Sequence, residues 1–295
     1  MSRPSYPPTA LSKDGSQVAS GCEGLAGSPA KVGFAGVIAK AGFAGTIAKA
    51  GFAGFMAKSG LGGGQCEVCR QWGETGALCP ACIARFAAPR PRCRRCGLRL
   101  GAASPVCGDC LSNPPPFRGT VCAVDYEFPW DRLVAAFKFR GHVELAGTLA
   151  MRVADAVRDT KTALPDLVVP VPLSAARLRE RGYNQAWELA RCLARGLHLQ
   201  ADARLLQRPI DTAHQADLSR SERRHNLRTA FMVDPRGRQA LVGRHVALVD
   251  DVMTTGATAR EAAAVLLRAG ASAVDVWVLA RTPAPTDVPD RASLG

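Results

Sequence analysis

One stretch, residues 248–258, constrains the fold most strongly and reads LVDDVMTTGAT. Apolar residues 246–249 lead into paired carboxylates, a turn of small residues follows, and an Ala- and Leu-rich segment comes next. This order predicts a buried strand, a loop and the N-terminus of a helix. Because backbone N–H groups at a helix N-terminus favour an anion, the loop predicts a phosphate site. The loop residues of this site are Thr254, Thr255, Gly256, Ala257 and Thr258.

Two carboxylates, Asp250 and Asp251, stand just before this loop. Carboxylates repel a phosphate, but they accept hydrogen bonds from two ribose hydroxyls, with or without a bridging Mg²⁺. A sugar beside a phosphate indicates a phosphoribosyl group, for which Asp250 and Asp251 are the candidate catalytic residues. The alternative is an ordinary strand-to-helix connection with a capping threonine.

Eight of the eleven cysteines lie in four Cys-x2-Cys pairs between residues 66 and 110. The pairs are Cys66 and Cys69, Cys79 and Cys82, Cys93 and Cys96, and Cys107 and Cys110. Such spacing predicts two structural Zn²⁺ ions, each held by four thiolates with no open coordination position. Pairing in sequence order is the simplest arrangement, although the spacing also allows a crossed one. Cysteine pairs of this kind can also hold an iron–sulfur cluster or form a redox dithiol.

The chain is basic, with a formal net charge of +13, which favours anionic partners such as nucleic acid, nucleotides or pyrophosphate. Residues 66–118 carry eight arginines against three acids, with several arginines around the third cysteine pair. We interpret this region as a nucleic-acid contact, or equally as the solvated surface of a docking module. The sequence contains no apolar run long enough for a membrane span and no signal peptide, which predicts a cytoplasmic protein.

The first 64 residues form a low-complexity segment. A nine-residue unit, AKAGFAGTI and its variants, repeats from Ala30 and gives neither a helix nor a strand an apolar side. We therefore predict a disordered extension over residues 1–64, with a lysine-bearing tether to membrane or nucleic acid as the alternative. A disordered tail is also predicted over residues 284–295.

Beyond three consecutive prolines at 114–116, strand and helix patterns alternate. Strands are predicted at 121–126, 167–171, 246–249 and 274–279, and helices at 130–139, 143–157, 186–197 and 261–269. This alternation predicts an α/β domain with a doubly wound parallel sheet. Ligands bind such sheets outside the carboxyl ends of the strands, where Asp250 and the 170–173 turn both fall.

Together these motifs resemble the ComF family, in which a double zinc ribbon precedes a domain similar to type I phosphoribosyltransferases. The 248–258 stretch is similar to the 5-phosphoribosyl 1-pyrophosphate (PRPP) motif of those enzymes. The resemblance extends to VPVPL at 169–173, RLRERGYNQ at 177–185 and HQADLSRSERRHNLRTAF at 214–231. It implies a double zinc ribbon over 65–113, a PRPP-binding domain over 117–283, and a role in DNA uptake during natural competence.

The resemblance also implies roles for residues outside the loop. The pyrophosphate loop corresponds to residues 170–174 and includes Val171 and Pro172, and Mg²⁺ accompanies PRPP. A mobile hood supplies cations to the departing pyrophosphate, and its candidates here are Arg208, Arg223 and Arg224. Planar guanidinium groups suit phosphate oxygens.

One position departs from the hypoxanthine-type phosphoribosyltransferases, which carry an acid in the loop where this chain has Thr254. A purine-salvage role is weakened by that difference. Two functions stay open: transfer of a phosphoribosyl group to an unknown acceptor, or a non-catalytic uptake factor that binds single-stranded DNA and keeps a PRPP-sensing or relic site. The resemblance to competence proteins also implies a helicase-type DNA-uptake partner.

Overall fold

The computed structural model describes residues 64–73, 77–101, 104–209 and 230–284. The predicted extension over 1–64 and tail over 284–295 lie outside these residues, except for Gly64 and Ala284. Within the described ranges, no helix is both long and apolar enough to cross a membrane.

A small N-terminal part carries the paired cysteines. Its elements are β1 (Gly64–Gln65), β2 (Trp72–Gly73), α1 (Pro80–Phe86) and α2 (Gly108–Ser112), and β1 pairs antiparallel with β2. The helix α1 begins after Cys79, whose sulfur accepts the Cys82 N–H. Pro80 suits the first turn because an N–H at that position would have no partner within the helix.

The larger part alternates strands and helices. Its first half contains β3 (Thr120–Asp125), α3 (Trp130–Phe139), α4 (Leu145–Asp159), β4 (Leu167–Pro170), α5 (Ala175–Arg181), α6 (Gln185–Leu197) and β5 (Gln200–Ala201). Its second half contains β6 (Leu206–Gln207), β7 (Met232–Val233), α7 (Arg238–Leu241), β8 (His245–Met253), α8 (Ala257–Arg268) and β9 (Ala273–Arg281).

Five of these strands form one parallel sheet in the order β3-β9-β8-β4-β5. One face packs against α3, α4 and α6 through a buried cluster that includes Phe137, Leu149 and Leu193. The other face packs against α8 and the β6–β7 pair through a second cluster that includes Leu206 and Leu266. The predicted doubly wound parallel sheet is therefore confirmed.

The direction of winding changes between β4 and β8. From β4 the chain continues outward to β5, and from β8 it continues outward on the other side to β9. Because β4 ends with Pro170 opposite Val249, while β8 runs on beside β9 to Met253, the last part of β8 borders a crevice. Ligands bind at this position in sheets of this kind.

The cysteine-bearing part packs directly on the sheet domain and shares its core. Leu78 and Cys82 belong to the same buried cluster as Trp130 and Val134 of α3. The Trp130 indole Nε1 also donates a hydrogen bond to the Phe86 carbonyl at 2.8 Å. The stability of the two parts is therefore coupled through α3.

Two observed elements extend the predicted ones next to residues 254–258, which we call the phosphate loop after its predicted ligand. The strand predicted at 246–249 runs from His245 to Met253, so it contains both carboxylates instead of ending before them. Pairing with β9 keeps these polar residues in an extended conformation. The helix predicted at 261–269 begins at Ala257, immediately after the loop, and its first turn therefore borders the crevice.

Candidate functional site

A small pocket lies at the carboxyl end of β8, where the crevice meets the first turn of α8. The predicted site residues in its lining are Val171, Asp250, Thr254, Gly256, Ala257 and Thr258. Thr255 is exposed beside the pocket, and its hydroxyl accepts the Ala257 N–H at 3.3 Å. The fold thus brings residues from two neighbouring strands and one helix N-terminus to a single place.

The loop turns into α8 at Gly256, which has a φ of 77°. This left-handed conformation is costly for residues that carry a Cβ. The N-cap Gly256 has no side chain with which to cap α8, and only the Ala257 N–H of the first turn is bonded by the Thr255 hydroxyl. The N–H groups that follow it in the first turn can therefore meet an anion, and the helix dipole favours negative charge there.

The two carboxylates point to opposite faces of the sheet, because successive residues of a strand alternate. Asp250 faces the pocket, whereas Asp251 is 5% exposed and faces α3. Burial and, after it, the charge of Asp251 raise the pKa of the Asp250 carboxyl to about 8, although Lys138 opposes the shift. An ionised Asp250 therefore needs a partner that neutralises it or donates hydrogen bonds to it.

Lys138 of α3 contacts the buried carboxylate, with 2.8 Å between its Nζ and the Asp251 Oδ2. Sequence reasoning missed this residue, since nothing in its neighbourhood along the chain marks a partner on β8. The ion pair fixes Asp251 on the α3 side of the sheet. Of the two carboxylates, Asp250 is the one that lines the pocket.

A buried arginine holds the loop from the other side. Arg281, at the end of β9, is 7% exposed, and its guanidinium donates to the carbonyls of Met253, at 3.2 Å, and Thr254. Its Nε donates to the Cys96 carbonyl at 3.1 Å. Sequence reasoning also missed Arg281, although a single arginine at the end of an apolar strand is a signal that could have identified it.

The β4 side of the crevice is built from residues 170–174. Val171 and Pro172 are buried, and the Val171 N–H donates to the Val249 carbonyl at 2.8 Å. Asn184 donates from Nδ2 to the Val171 carbonyl at 3.1 Å. These bonds hold the 170–174 turn against β8 and the start of α6.

The three candidate hood arginines differ in what the structure describes. Arg208 follows β6, and its guanidinium lies over the ring of Phe231, 5.5 Å from the centroid. Arg223 and Arg224 lie outside the described residues. A role of all three at the pyrophosphate stays a prediction.

The cysteines form two groups of four, each with its sulfur atoms within 4.8 Å of one another. One group contains Cys66, Cys69, Cys79 and Cys82, and the other contains Cys93, Cys96, Cys107 and Cys110. A tetrahedron of Zn–S bonds of about 2.3 Å separates sulfurs by about 3.8 Å. Sulfur distances of 3.7 Å in the first group and 3.6 Å in the second fit that geometry. The sequential pairing is therefore confirmed, and each group fits a structural zinc.

In both cysteine groups, backbone N–H groups favour the thiolate form of a cysteine. Burial alone would raise the pKa of the Cys66 thiol, but N–H groups, including that of Cys79 at 3.4 Å from the sulfur, lower it to about 6. In the second group the same balance lowers the pKa of Cys93 to about 7, with the Cys107 N–H at 3.3 Å. A deprotonated sulfur is the form that binds a metal.

The arginines around the third cysteine pair do not all face solvent. Arg92 is 2.6 Å from Asp125, and both side chains are largely buried. Arg99 lies 3.8 Å from the same carboxylate, whereas Arg94 is exposed. Arg92 therefore anchors the cysteine-bearing part to the sheet, and fewer arginines of this group are available to nucleic acid than the sequence suggested.

Proteins of known name resemble most of this chain. It is 38% identical over 229 residues to DNA utilization protein YhgH of Escherichia coli K12, and the match covers 74% of this chain and 97% of that protein. It is 36% identical over 208 residues to competence protein F of Haemophilus influenzae, with 69% and 90% covered. Competence protein ComFC of Bacillus subtilis is 29% identical over 218 residues, with 70% and 79% covered.

Matches to solved structures are weaker, and no family model matches the chain. Glutamine PRPP amidotransferase from Bacillus subtilis aligns at 19% identity with a TM-score of 0.31, covering 44% of this chain and 25% of that one. A hypoxanthine phosphoribosyl transferase of Trypanosoma cruzi aligns at 15% identity with the same score, covering 50% and 68%. These scores are too low to establish a shared fold. The match to YhgH, by contrast, spans nearly that whole protein, and with competence protein F it shows that the chain belongs to the ComF family.

Proposed function

We propose that the chain binds PRPP in the pocket between β4 and β8 and takes part in DNA uptake. The observation that carries the PRPP proposal is that Asp250 and the first turn of α8 line one pocket. On this proposal, residues 65–113 form a double zinc ribbon, residues 117–283 form a PRPP-binding domain, and the protein is cytoplasmic.

The parts of PRPP would bind to different parts of the pocket. The 5′-phosphate would meet the N–H groups and hydroxyls of residues 254–258, which suit an anion. Asp250 would accept hydrogen bonds from the ribose hydroxyls, and the turn at 170–174 would face the pyrophosphate. Mg²⁺ would neutralise the pyrophosphate, and Arg208, Arg223 and Arg224 would complete its charge balance.

The DNA part of the proposal has separate support. Relatives of the chain are named as DNA utilization and competence proteins, and the net charge of +13 suits a polyanion. We propose that the chain contacts single-stranded DNA and works beside a helicase-type partner during uptake. Single strands bind basic surfaces with little sequence preference.

Whether a phosphoribosyl group is transferred separates the two functional classes. The exposed Thr254 in place of an acid favours the non-catalytic class, in which PRPP acts as a signal or the site is a relic. The chemistry of the pocket is also compatible with transfer, because Asp250 and the pyrophosphate cations could stabilise a positively charged ribose.

Pyrophosphate release tests which class is right. Purified full-length protein is incubated with PRPP and Mg²⁺, alone, with nucleobases and with single-stranded DNA, and Asp250→Asn is the control. Release in the wild-type protein that is lost in Asp250→Asn identifies a transferase and names the acceptor class. PRPP binding without release under any of these conditions identifies a sensor.

A further inference from the structure

Two arginine–phenylalanine stacks form an exposed surface at the two ends of α3, one beside α1 of the cysteine-bearing part and the other beside α5. We call this surface the Arg–Phe face, and it consists of Arg85, Phe86, Phe128, Arg132, Phe139 and Arg181. None of these residues takes part in the site described above.

The first stack joins the end of α1 to the start of α3. Phe128 is 51% exposed, and the Arg132 guanidinium lies over its ring, 5.1 Å from the centroid. Phe86 meets Phe128 edge to face, with 5.5 Å between centroids and an angle of 88° between the rings. Arg85 lies over the Phe86 ring at 5.2 Å. Cations and aromatic rings therefore alternate along the surface.

The second stack lies at the other end of the same helix. Phe139 is 69% exposed, and the Arg181 guanidinium lies over its ring at 5.0 Å. Arg132 and Phe139 are seven residues apart, which places them on the same side of α3, about 10 Å apart along its axis. The second stack therefore lies on the side of α3 that also carries Arg132 of the first stack.

The positive charges of the two arginines in the first stack are available to a partner. Within the described ranges, neither Arg85 nor Arg132 lies in an ion pair. Two acids are close in sequence: Glu127 lies 3.8 Å from Arg99, and Asp131 accepts the backbone N–H of Arg132. A large exposed phenylalanine ring flanked by free cations offers a flat apolar surface and positive charge together.

We infer that the Arg–Phe face binds single-stranded DNA by stacking bases on Phe128 and Phe139 while the arginines contact phosphates. Bases of a single strand stack on aromatic rings, and guanidinium groups add cation–π and phosphate contacts. A duplex is disfavoured because its bases are already stacked on one another. This inference rests on the proposed DNA-handling function and assigns it to residues other than the arginines around the third cysteine pair.

The experiment measures fluorescence anisotropy of the zinc-loaded full-length protein with a labelled oligodeoxythymidine of about 15 nucleotides, a length typical of single-strand-binding modules. An abasic oligonucleotide of equal length and charge is the second probe. Stacking of one base on each phenylalanine predicts that the wild-type protein binds the abasic strand at least about 30-fold more weakly than the thymidine strand. This comparison needs no variant, so a folding defect cannot affect it.

Variants then locate the surface. Phe128→Leu and Phe139→Leu keep the charge and are each expected to lower thymidine-strand affinity about 5- to 150-fold, with little effect on the abasic strand. Arg132→Gln should lower affinity for both strands. The controls are Val242→Ala, an exposed apolar residue, and Arg238→Gln on α7, both of which should bind as the wild type does.

The outcomes separate the inference from the proposed function. Tight thymidine binding that is unchanged in both phenylalanine variants would overturn the Arg–Phe face and leave DNA handling intact. Equal affinity of the wild-type protein for the two strands would overturn stacking in the same way. Absence of any binding near physiological salt would overturn both proposals, and the face would then fit a protein partner.

Discussion

Asp250 occupies a position that disfavours its own charge. It is half-buried, it lies within the largely apolar strand β8, and its neighbour Asp251 pairs with Lys138. A carboxylate whose surroundings disfavour its charge destabilises the ligand-free protein. It is tolerated at a binding site, because a ligand can neutralise that charge. We therefore propose that the carboxylate belongs to a binding site, and this role can be tested without knowing the ligand.

The pH dependence of stability gives that test. The pKa of Asp250 is raised to about 8 in the folded state, above the value of about 3.9 in an unfolded chain. The folded state therefore keeps this carboxyl protonated to a higher pH than the unfolded state does. As a result, this carboxyl lowers the free energy of unfolding as pH rises from about 4 to about 8. The free energy of unfolding of Asp250→Asn should exceed that of the wild type by at least about 1.4 kcal/mol at about pH 9, and this difference, the stability gap, should be smaller at about pH 5.

Urea unfolding of both proteins between about pH 5 and about pH 9 in Mg²⁺-free buffer measures this stability gap. Asp159→Asn, at an exposed helix end, is the matched control and should show no pH-dependent gap. A constant gap for Asp250→Asn, or a wild type that is the more stable protein at high pH, would contradict the assignment.

Lys138 supports a second prediction at this scale. Lys138→Met leaves the Asp251 carboxylate buried without its cation, which should lower the free energy of unfolding by up to about 3 kcal/mol. Adding Asp251→Asn should restore much of the loss, because no buried charge then remains. A double-mutant cycle from urea unfolding measures this coupling, and additive effects of the two changes would show that the ion pair is unimportant.

At the scale of elements, the sequence predicted the sheet better than the contacts that shape its site. Short apolar runs that alternate with helical segments identified β3, β4, β8 and β9. Such runs arise because strands buried between two helix layers are apolar on both faces. The strand order, and with it the winding change between β4 and β8, was not predicted, because it depends on tertiary pairing. Lys138 and Arg281 escaped prediction because each meets the site through tertiary packing, which one-dimensional patterns do not encode.

Arg281 connects three elements at the end of β9. It joins the carbonyls of Met253 and Thr254 to the carbonyl of Cys96 in the second cysteine group. The planar guanidinium can reach these acceptors at once, whereas a lysine ammonium cannot match their directions. Arg281 is therefore a positioning residue for the phosphate loop.

Arg281→Lys should weaken PRPP binding about tenfold, which corresponds to about 1.4 kcal/mol, while the protein keeps both zinc ions. Calorimetric titration with PRPP and Mg²⁺, together with elemental analysis, measures the two effects. The control is Arg268→Lys, at the exposed end of α8. Unchanged affinity in Arg281→Lys would remove its positioning role.

At the scale of the whole molecule, the zinc ribbons and the sheet form one packed unit. The shared cluster of Leu78, Cys82 and Trp130 joins the first ribbon to α3, and Arg92 and Arg281 join the second ribbon to the sheet. The ribbons contribute few apolar residues of their own, so metal binding and folding are coupled there. Loss of zinc should therefore weaken the sheet domain as well.

Elemental analysis should find two zinc ions per chain, and chelation should lower the melting temperature of the whole protein. Cys66→Ser should retain one zinc, because the second group is intact. Cys122→Ser, at a buried cysteine outside both groups, should retain two. Two zinc ions in Cys66→Ser, or an iron–sulfur absorbance in the wild type, would contradict the zinc assignment.

PRPP binding at the carboxyl end of β8 is the central claim, and calorimetric titration with PRPP and Mg²⁺ tests it most directly. The wild-type protein and Asp159→Asn should bind PRPP with equal affinity. Asp250→Asn should bind it more weakly by about 1.5–3 kcal/mol, the scale of a hydrogen bond to a charged group. No binding by the wild type, or equal affinity in Asp250→Asn, would contradict the account.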